Sequence, residues 1–155
     1  MTWKRNWRNK YNNEKATAPF LRELSGRSFA SRLERDRAVE LVLLLHQGLI
    51  RNLQFQQTVY FTAANIGYRP DFQYEEVDKV GGKWRTVFEE SKGMETDVWM
   101  LKRKLWRFYG TGFLRITKRV GGRIMVTEEI TPKLEIEANG HESTEKKPRR
   151  LRVGR

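Results

Sequence analysis

A chain of 155 residues with 38% hydrophobic and 12% aromatic content is long enough for one core and too short for two ordinary domains. It has no cysteine and two histidines, His46 and His141, which excludes disulfides, thiolate catalysis and cysteine-ligated zinc and leaves oxygen ligands for any metal. The longest greasy stretch, Val39–Leu45, is interrupted by Glu40. No apolar run approaches the roughly 18 residues of a membrane span, and the basic stretch Met1–Lys10 lacks the apolar segment that would make it a signal peptide.

The net charge of +12 sits mainly at the two ends. Residues 1–10 carry Lys4, Arg5, Arg8 and Lys10 without an acid, and residues 146–155 carry Lys146, Lys147, Arg149, Arg150, Arg152 and Arg155. Only +2 remains for everything between. Basic arms on a nearly balanced globule suit a polyanionic partner, because binding releases its counterions. Trp3, Trp7 and Tyr11 lie among the N-terminal charges, where rings can stack on exposed bases. The expected organisation is a basic, aromatic arm over 1–25, one domain over 26–137 and a basic, disordered tail over 138–155.

Residues 31–47 read as a helix, with Ser31 as N-cap, Glu34 at the capping-box position and Gly48 as terminator. Residues 53–61 alternate loosely as a strand. The clearest strand is 68–74, with Tyr68, Pro70, Phe72 and Tyr74 on one face and Arg69, Asp71 and Gln73 on the other. Pro70 places that strand at an edge or near a bulge. Polar residues 75–83 end in Gly81-Gly82, a turn signal, and 84–92 form the returning strand. A turn centred on Gly81-Gly82 opposes Asp71 to Lys92. A turn shifted by one position opposes Asp71 to Glu90 instead, and either register puts Asp71, Glu90 and Lys92 on one patch. Thr96 caps a helix over 97–109 whose apolar stripe is Val98, Leu101, Leu105 and Phe108. Residues 113–118 and 123–130 flank Gly121-Gly122 as a second hairpin. Helix, strands, helix, strands describe an α/β protein with a mixed central sheet flanked by helices.

Asp71 and Glu90 on adjacent strands supply the one or two carboxylates that Mg²⁺ takes from a protein. Lys92, two residues after Glu90, points to the same face, where it can orient a water or hold a phosphate. The backbone carbonyl of Ser91 is available as another ligand. A divalent ion so held can neutralise a phosphodiester and acidify a water. The same trio also fits a cross-strand salt bridge on a solvated face. Glu89 faces the other way. No Walker loop, Ser/His/Asp set or cysteine nucleophile competes.

Three runs carry a resemblance: Tyr68-Arg69-Pro70-Asp71-Phe72-Gln73-Tyr74, Val87-Phe88-Glu89-Glu90-Ser91-Lys92-Gly93 and Leu101-Lys102-Arg103-Lys104-Leu105-Trp106. With Phe29-Ala30-Ser31-Arg32-Leu33-Glu34 and Ile50-Arg51-Asn52-Leu53-Gln54-Phe55-Gln56 upstream, the stretch from about 29 to 110 resembles a family of small phage-encoded PD-(D/E)XK nucleases. The resemblance implies a restriction-endonuclease-like fold, Mg²⁺ or Mn²⁺ on Asp71 and Glu90, and Lys92 as catalytic lysine. It further implies Glu34 as an extra carboxylate reaching in from the first helix, a role that competes with capping. Gln56 is an additional site candidate. Lys102 and Lys104 are candidates for the DNA backbone, with Lys4, Arg5, Arg149 and Arg150 from the arms.

The function these readings point to is a metal-dependent endodeoxyribonuclease acting in the host-cell cytoplasm. Small nucleases of this fold often recognise DNA shape, so a Holliday-junction resolvase working as a homodimer is the favoured subtype. A less selective endonuclease or nickase, and a non-catalytic DNA-binding protein, are the alternatives. Trp99 and Trp106, outside the stripe of their helix, are candidates for the dimer interface or for burial in their own domain.

Overall fold

A computed structural model of the chain describes residues 15–61 and 65–133. Helix α1 spans Arg32–His46, β1 Ile50–Phe55, β2 Val59–Phe61, β3 Ile66–Tyr68, β4 Phe72–Val77, β5 Trp84–Ser91, α2 Asp97–Tyr109, β6 Phe113–Val120 and β7 Arg123–Ile130. Five strands form a mixed sheet in the order β1-β4-β5-β6-β7, and β2 pairs with β3 as a separate ribbon. Only β5 and β6 run parallel within the large sheet, because α2 connects them and returns the chain to the same end. Among the described residues no helix is long and apolar enough to cross a membrane.

Each sheet face has its own core. Ala38, Leu41 and Val42 of α1 pack with Ile50, Phe72, Tyr74 and Val87. On the opposite face Trp99 and Trp106 of α2 pack with Phe61, Tyr68, Phe88, Leu114 and Ile116. Alternation along β5 serves both, with Val87 on one side and Phe88 on the other. Burying each large side chain stabilises the fold by about 1.5–3 kcal/mol. Among the described residues Ala16 already bridges Phe29 and is buried with Ala18 and Leu24, ahead of the residue-26 boundary drawn from composition.

Four expectations need correction. The strand over 53–61 is two strands, broken where Gln56 takes a positive φ of 53°. The strand over 68–74 is likewise interrupted at Arg69-Pro70-Asp71, so Tyr68 joins the α2 core while Phe72 and Tyr74 join the α1 core. Pro70 lacks the N–H a ladder needs and lies outside β4, an interior strand rather than an edge, whose pairing with β1 has the bulge-like irregularity, between Arg51 and Gln54, that was the other expectation. The β4–β5 register pairs Phe72 with Glu89, so continuing it opposes Asp71 to Glu90. Asp78 closes the turn, donating from its amide to the Lys83 carbonyl and accepting from Gly82 N, which shifts the hairpin centre by one position. Finally, α2 turns its tryptophans inward and leaves Val98, Leu101 and Phe108 exposed.

That last orientation depends on close backbone approach after the helix. The Trp106 indole N–H donates to the Gly112 carbonyl at 2.8 Å. A Cβ on Gly110 would lie 2.5 Å from Trp106 Nε1, and one on Gly112 would lie 2.7 Å from the Thr86 carbonyl oxygen. Two glycines thus make the space in which the largest side chain of the core sits.

Candidate active site

The site forms where α1 begins and where β4 and β5 face each other beyond their last ladder pair. Ser31 caps α1, its Oγ accepting from Glu34 N at 3.1 Å. The Glu34 side chain is buried. Its Oε2 accepts from Ala30 N at 2.8 Å, one residue before the cap, and its Oε1 accepts from Gln56 Nε2 at 3.1 Å. Glu34 therefore performs a capping role and lies in the carboxylate cluster at once. Gln56 holds it from the left-handed conformation and donates its own N–H to the Asp71 carbonyl at 2.9 Å. A non-glycine residue held at positive φ stores backbone strain of about 1 kcal/mol or more, here beside a candidate site.

Asp71 Oδ2 accepts from Ser91 N at 2.7 Å. Across from it, Glu90 Oε2 accepts from the Tyr68 hydroxyl at 3.1 Å, and Oε1 lies 3.4 Å from Lys92 Nζ. The Lys92 backbone is fixed by donation to the Thr117 carbonyl at 2.9 Å. Its ammonium stands 5.6 Å from the centre of the Trp99 ring. Glu34, Asp71, Glu90, Ser91 and Lys92 line a cavity of about 540 Å³ with Met94 and Thr96. Glu34 also borders a second opening of about 260 Å³ with Arg27, Phe55 and Gln56.

The electrostatics are those of crowded, buried acids. Burial pushes the Asp71 carboxyl well above the ordinary carboxylate range, and the charges of Glu90 and Glu34 add to it; the Ser91 amide and Lys92 oppose the shift without cancelling it. Glu90 is also raised, first by burial, against the pull of Lys92 and the Tyr68 hydroxyl. Burial, then the charge of Glu90, raises the Tyr68 hydroxyl, which keeps it protonated and donating. Three carboxylates share a pocket with Lys92 as the cation in ion-pair reach of Glu90.

No protein-family model, characterised protein or solved structure matches this chain. The site therefore stands on its own geometry.

Hard oxygen donors at a buried, under-compensated pair suit a divalent cation, which stabilises the charged forms that burial, and then neighbouring carboxylates, disfavour. Asp71 and Glu90 fit Mg²⁺, which takes one or two carboxylates and keeps its waters. Among the described residues no three His, Cys, Asp or Glu side chains converge as a ready-made ligand group. Glu34, turned to Ala30 and Gln56, stands behind the pair.

The structure thus brings Glu34, Gln56, Asp71, Glu90, Ser91 and Lys92 together. Lys102 stands 5.7 Å from the centre of the Tyr68 ring at the rim, and Lys104 is exposed on α2. Lys4, Arg5, Arg149 and Arg150 lie outside the described residues. Sequence reasoning missed Tyr68. Read as a strand position, it shared a face with Phe72, and only the break at Pro70 turns it to Glu90.

Proposed function

We propose that the protein is a metal-dependent endodeoxyribonuclease of the PD-(D/E)XK type, with a four-way DNA junction as its preferred substrate. The observation that carries this reading is the pairing of Asp71 with Glu90 in a buried pocket that also holds Lys92. The mixed sheet with a helix on either face supports a restriction-endonuclease-like core. Asp71 and Glu90 would hold Mg²⁺ or Mn²⁺, with the Ser91 carbonyl as a further oxygen donor and Glu34 behind the pair, reaching the ion through a water. When bound, the ion supplies positive charge at the phosphate and lowers the pKa of a water.

The chain's own groups do the rest. Tyr68 fixes one oxygen of Glu90, and Ser91 N fixes one oxygen of Asp71. Lys92, held beside Glu90, orients the attacking water and stabilises charge that develops on the scissile phosphate. Water adds at phosphorus, one bridging P–O bond breaks, and the departing oxygen takes up a proton. Lys102, Lys104 and the basic ends Lys4, Arg5, Arg149 and Arg150 would contact the DNA backbone, in the host-cell cytoplasm. Paired incisions in a two-fold junction call for two chains.

A second reading has one observation in its favour: Asp71 and Glu34 already accept hydrogen bonds from backbone amides, as structural carboxylates do. It makes the protein a DNA binder without catalysis. The deciding experiment incubates the protein with a labelled four-way junction, a duplex and single strands, each with Mg²⁺ or EDTA. Junction cleavage that needs Mg²⁺ supports the proposal. Equal cutting of junction and duplex leaves a general endonuclease or nickase. Binding without cutting under any divalent ion overturns the enzymatic reading.

A further inference from the structure

Helix α2 has two apolar faces. One, through Trp99 and Trp106, is buried against its own sheet. The other faces solvent: Val98 is 66% exposed, Leu101 58% and Phe108 59%, with Tyr109 beside them at 46%. At 3.6 residues per turn, Val98, Leu101, Leu105, Phe108 and Tyr109 fall within an arc of roughly 100°, Leu105 being half-buried and packed on one side against the tryptophan core. A surface helix normally turns its one such stripe to the core.

The exposed area of this stripe is on the order of 400–450 Å², comparable to the largest patch on a typical monomer. A standard interface takes about 800 Å² from each partner. The stripe supplies about half of that, and its rim of Asp97, Lys104 and the exposed Met94 adds to it. Of the two roles open to the tryptophans, burial in their own domain is the one they take, and a second apolar face of the same helix is left to solvent.

We propose that this stripe is the interface for a second copy of the chain, α2 packed antiparallel on α2 about a two-fold axis. The spacing Val98, Leu101, Leu105, Phe108 is symmetric about residue 103. In an antiparallel pair Val98 therefore meets the partner's Phe108, and Leu101 meets the partner's Leu105. The smallest side chain faces the largest, and the same patch serves both subunits, as a closed two-fold requires. The arrangement also sets the two helix dipoles antiparallel, which is the favourable alignment. A parallel pair would set Asp97 beside the partner's Asp97.

The inference deepens the proposed function, and only its placement of the sites rests on that reading. Met94 and Thr96, at the start of α2, line the candidate catalytic cavity. Antiparallel pairing puts the two cavities at opposite ends of the helix pair, about 20 Å or more apart for a helix of this length. Lys102 and Lys104 of both subunits then flank one continuous surface between them.

The test is sedimentation velocity on the full chain, without DNA, at tens of micromolar. Wild type should sediment at twice its 18.5 kDa mass. Leu101→Glu and, separately, Phe108→Glu should raise the dimer dissociation constant at least about 10-fold while far-UV circular dichroism and melting temperature hold. Because the chain has no cysteine, an equal mixture of Leu101→Cys and Leu105→Cys proteins should form a disulfide-linked dimer that neither forms alone. A wild-type monomer, with the stripe covered by the chain itself, overturns the inference. So does a dimer that survives both glutamate variants, or a cross-link in Leu101→Cys alone. A dimer that never cuts DNA would sink the nuclease reading and leave the interface standing; cutting by a monomer would do the reverse.

Discussion

Glu89 and Glu90 are neighbours on β5, face opposite sides of one sheet and live in opposite electrostatic worlds. Glu89 is fully buried and meets Arg37 at 2.5 Å and the Tyr74 hydroxyl at 2.7 Å. From there the contacts continue through Tyr74 to Arg115, and from Arg115 to Glu76 and Glu129, both of which Arg85 also holds. Three guanidiniums meet these three carboxylates, and the half-exposed Glu40 adds a fourth at the solvent side of Arg37. Burial works to raise the Glu76 carboxyl, but hydrogen bonds from Arg115 and Arg85 outweigh it and hold the group below its ordinary value. Around Glu90 the opposite holds: burial wins, and Asp71 and Glu90 are both raised. Balanced charge marks a cluster that stabilises the fold, and unbalanced charge marks one that a cation would complete. The larger cavity beside Arg85 and Arg115, about 640 Å³, is accordingly the weaker candidate for chemistry.

The comparison is broken most forcefully by neutralising one acid on each side. Asp71→Asn should lower the cleavage rate by about 10³-fold or more, equivalent to roughly 4 kcal/mol of barrier, while DNA binding holds or strengthens because a repulsive charge has gone. Glu90→Gln should behave alike. Lys92→Ala should lose cleavage yet still bind metal. Single-turnover cleavage and Mn²⁺ titration separate these outcomes, and wild-type turnover in either carboxamide variant would remove the site assignment.

On the balanced side, Glu89→Gln should leave chemistry per folded molecule unchanged and unfold the protein more easily. It leaves the mostly buried Arg37 guanidinium with only the half-exposed Glu40 as its carboxylate, and breaking a buried pair costs about 3–5 kcal/mol. In EDTA the two substitutions should move the denaturation midpoint in opposite directions, Asp71→Asn upward and Glu89→Gln downward. Both moving down would mean that Asp71 is a structural carboxylate like Glu89.

Much of this contrast was readable beforehand. Period-two alternation put Glu90 and Lys92 on one face and Glu89 on the other, and glycine and capping signals located α1, α2 and the β6–β7 hairpin. What could not be read depended on tertiary facts. The choice between two registers rested on how Asp78 closes its turn. The break at Pro70 redirected Tyr68. The orientation of α2 was ambiguous because both of its faces are apolar, and it was decided by the close packing of Trp106 against the backbone at Gly110 and Gly112. Glu34 could be read as cap or as site residue because it is placed to be both.

Acidity offers a gentler probe of the same imbalance. The folded-state pKa of Asp71 lies above its unfolded value, so the metal-free fold takes up a proton more readily than the unfolded chain. The stability tied to this group is fully present below the unfolded carboxylate range and is lost as pH rises through the raised folded value. Without metal, Asp71→Asn should therefore exceed wild type most at alkaline pH, with the gap narrowing as the pH falls. Mg²⁺ should do the converse, stabilising wild type more as pH rises, since it binds the deprotonated pair. Thermal melts of both proteins from pH 5 to 8, with EDTA or Mg²⁺, measure the two trends, and a gap independent of pH would show that Asp71 keeps an ordinary pKa.

The smallest expected effect belongs to Tyr68, whose hydroxyl is the one neutral group holding Glu90. Tyr68→Phe keeps the ring, which stacks on Phe61 at 6.3 Å and meets Trp106 edge-on at 5.6 Å, so the α2 core should stay intact. It removes the 3.1 Å hydrogen bond to Glu90 Oε2 and leaves Lys92 as the partner on the other oxygen. Losing an outer partner of a ligand typically weakens metal affinity by about 10–100-fold. We expect the lower end, about 10-fold in Mn²⁺ affinity, because Lys92 still orients the carboxylate. Saturating metal should restore most of the cleavage rate, which a damaged fold would not allow. An unchanged Mn²⁺ affinity alongside an inactive Asp71→Asn would show that Tyr68 only fills space, while an unchanged affinity in both variants would mean that the pocket does not take the ion at all.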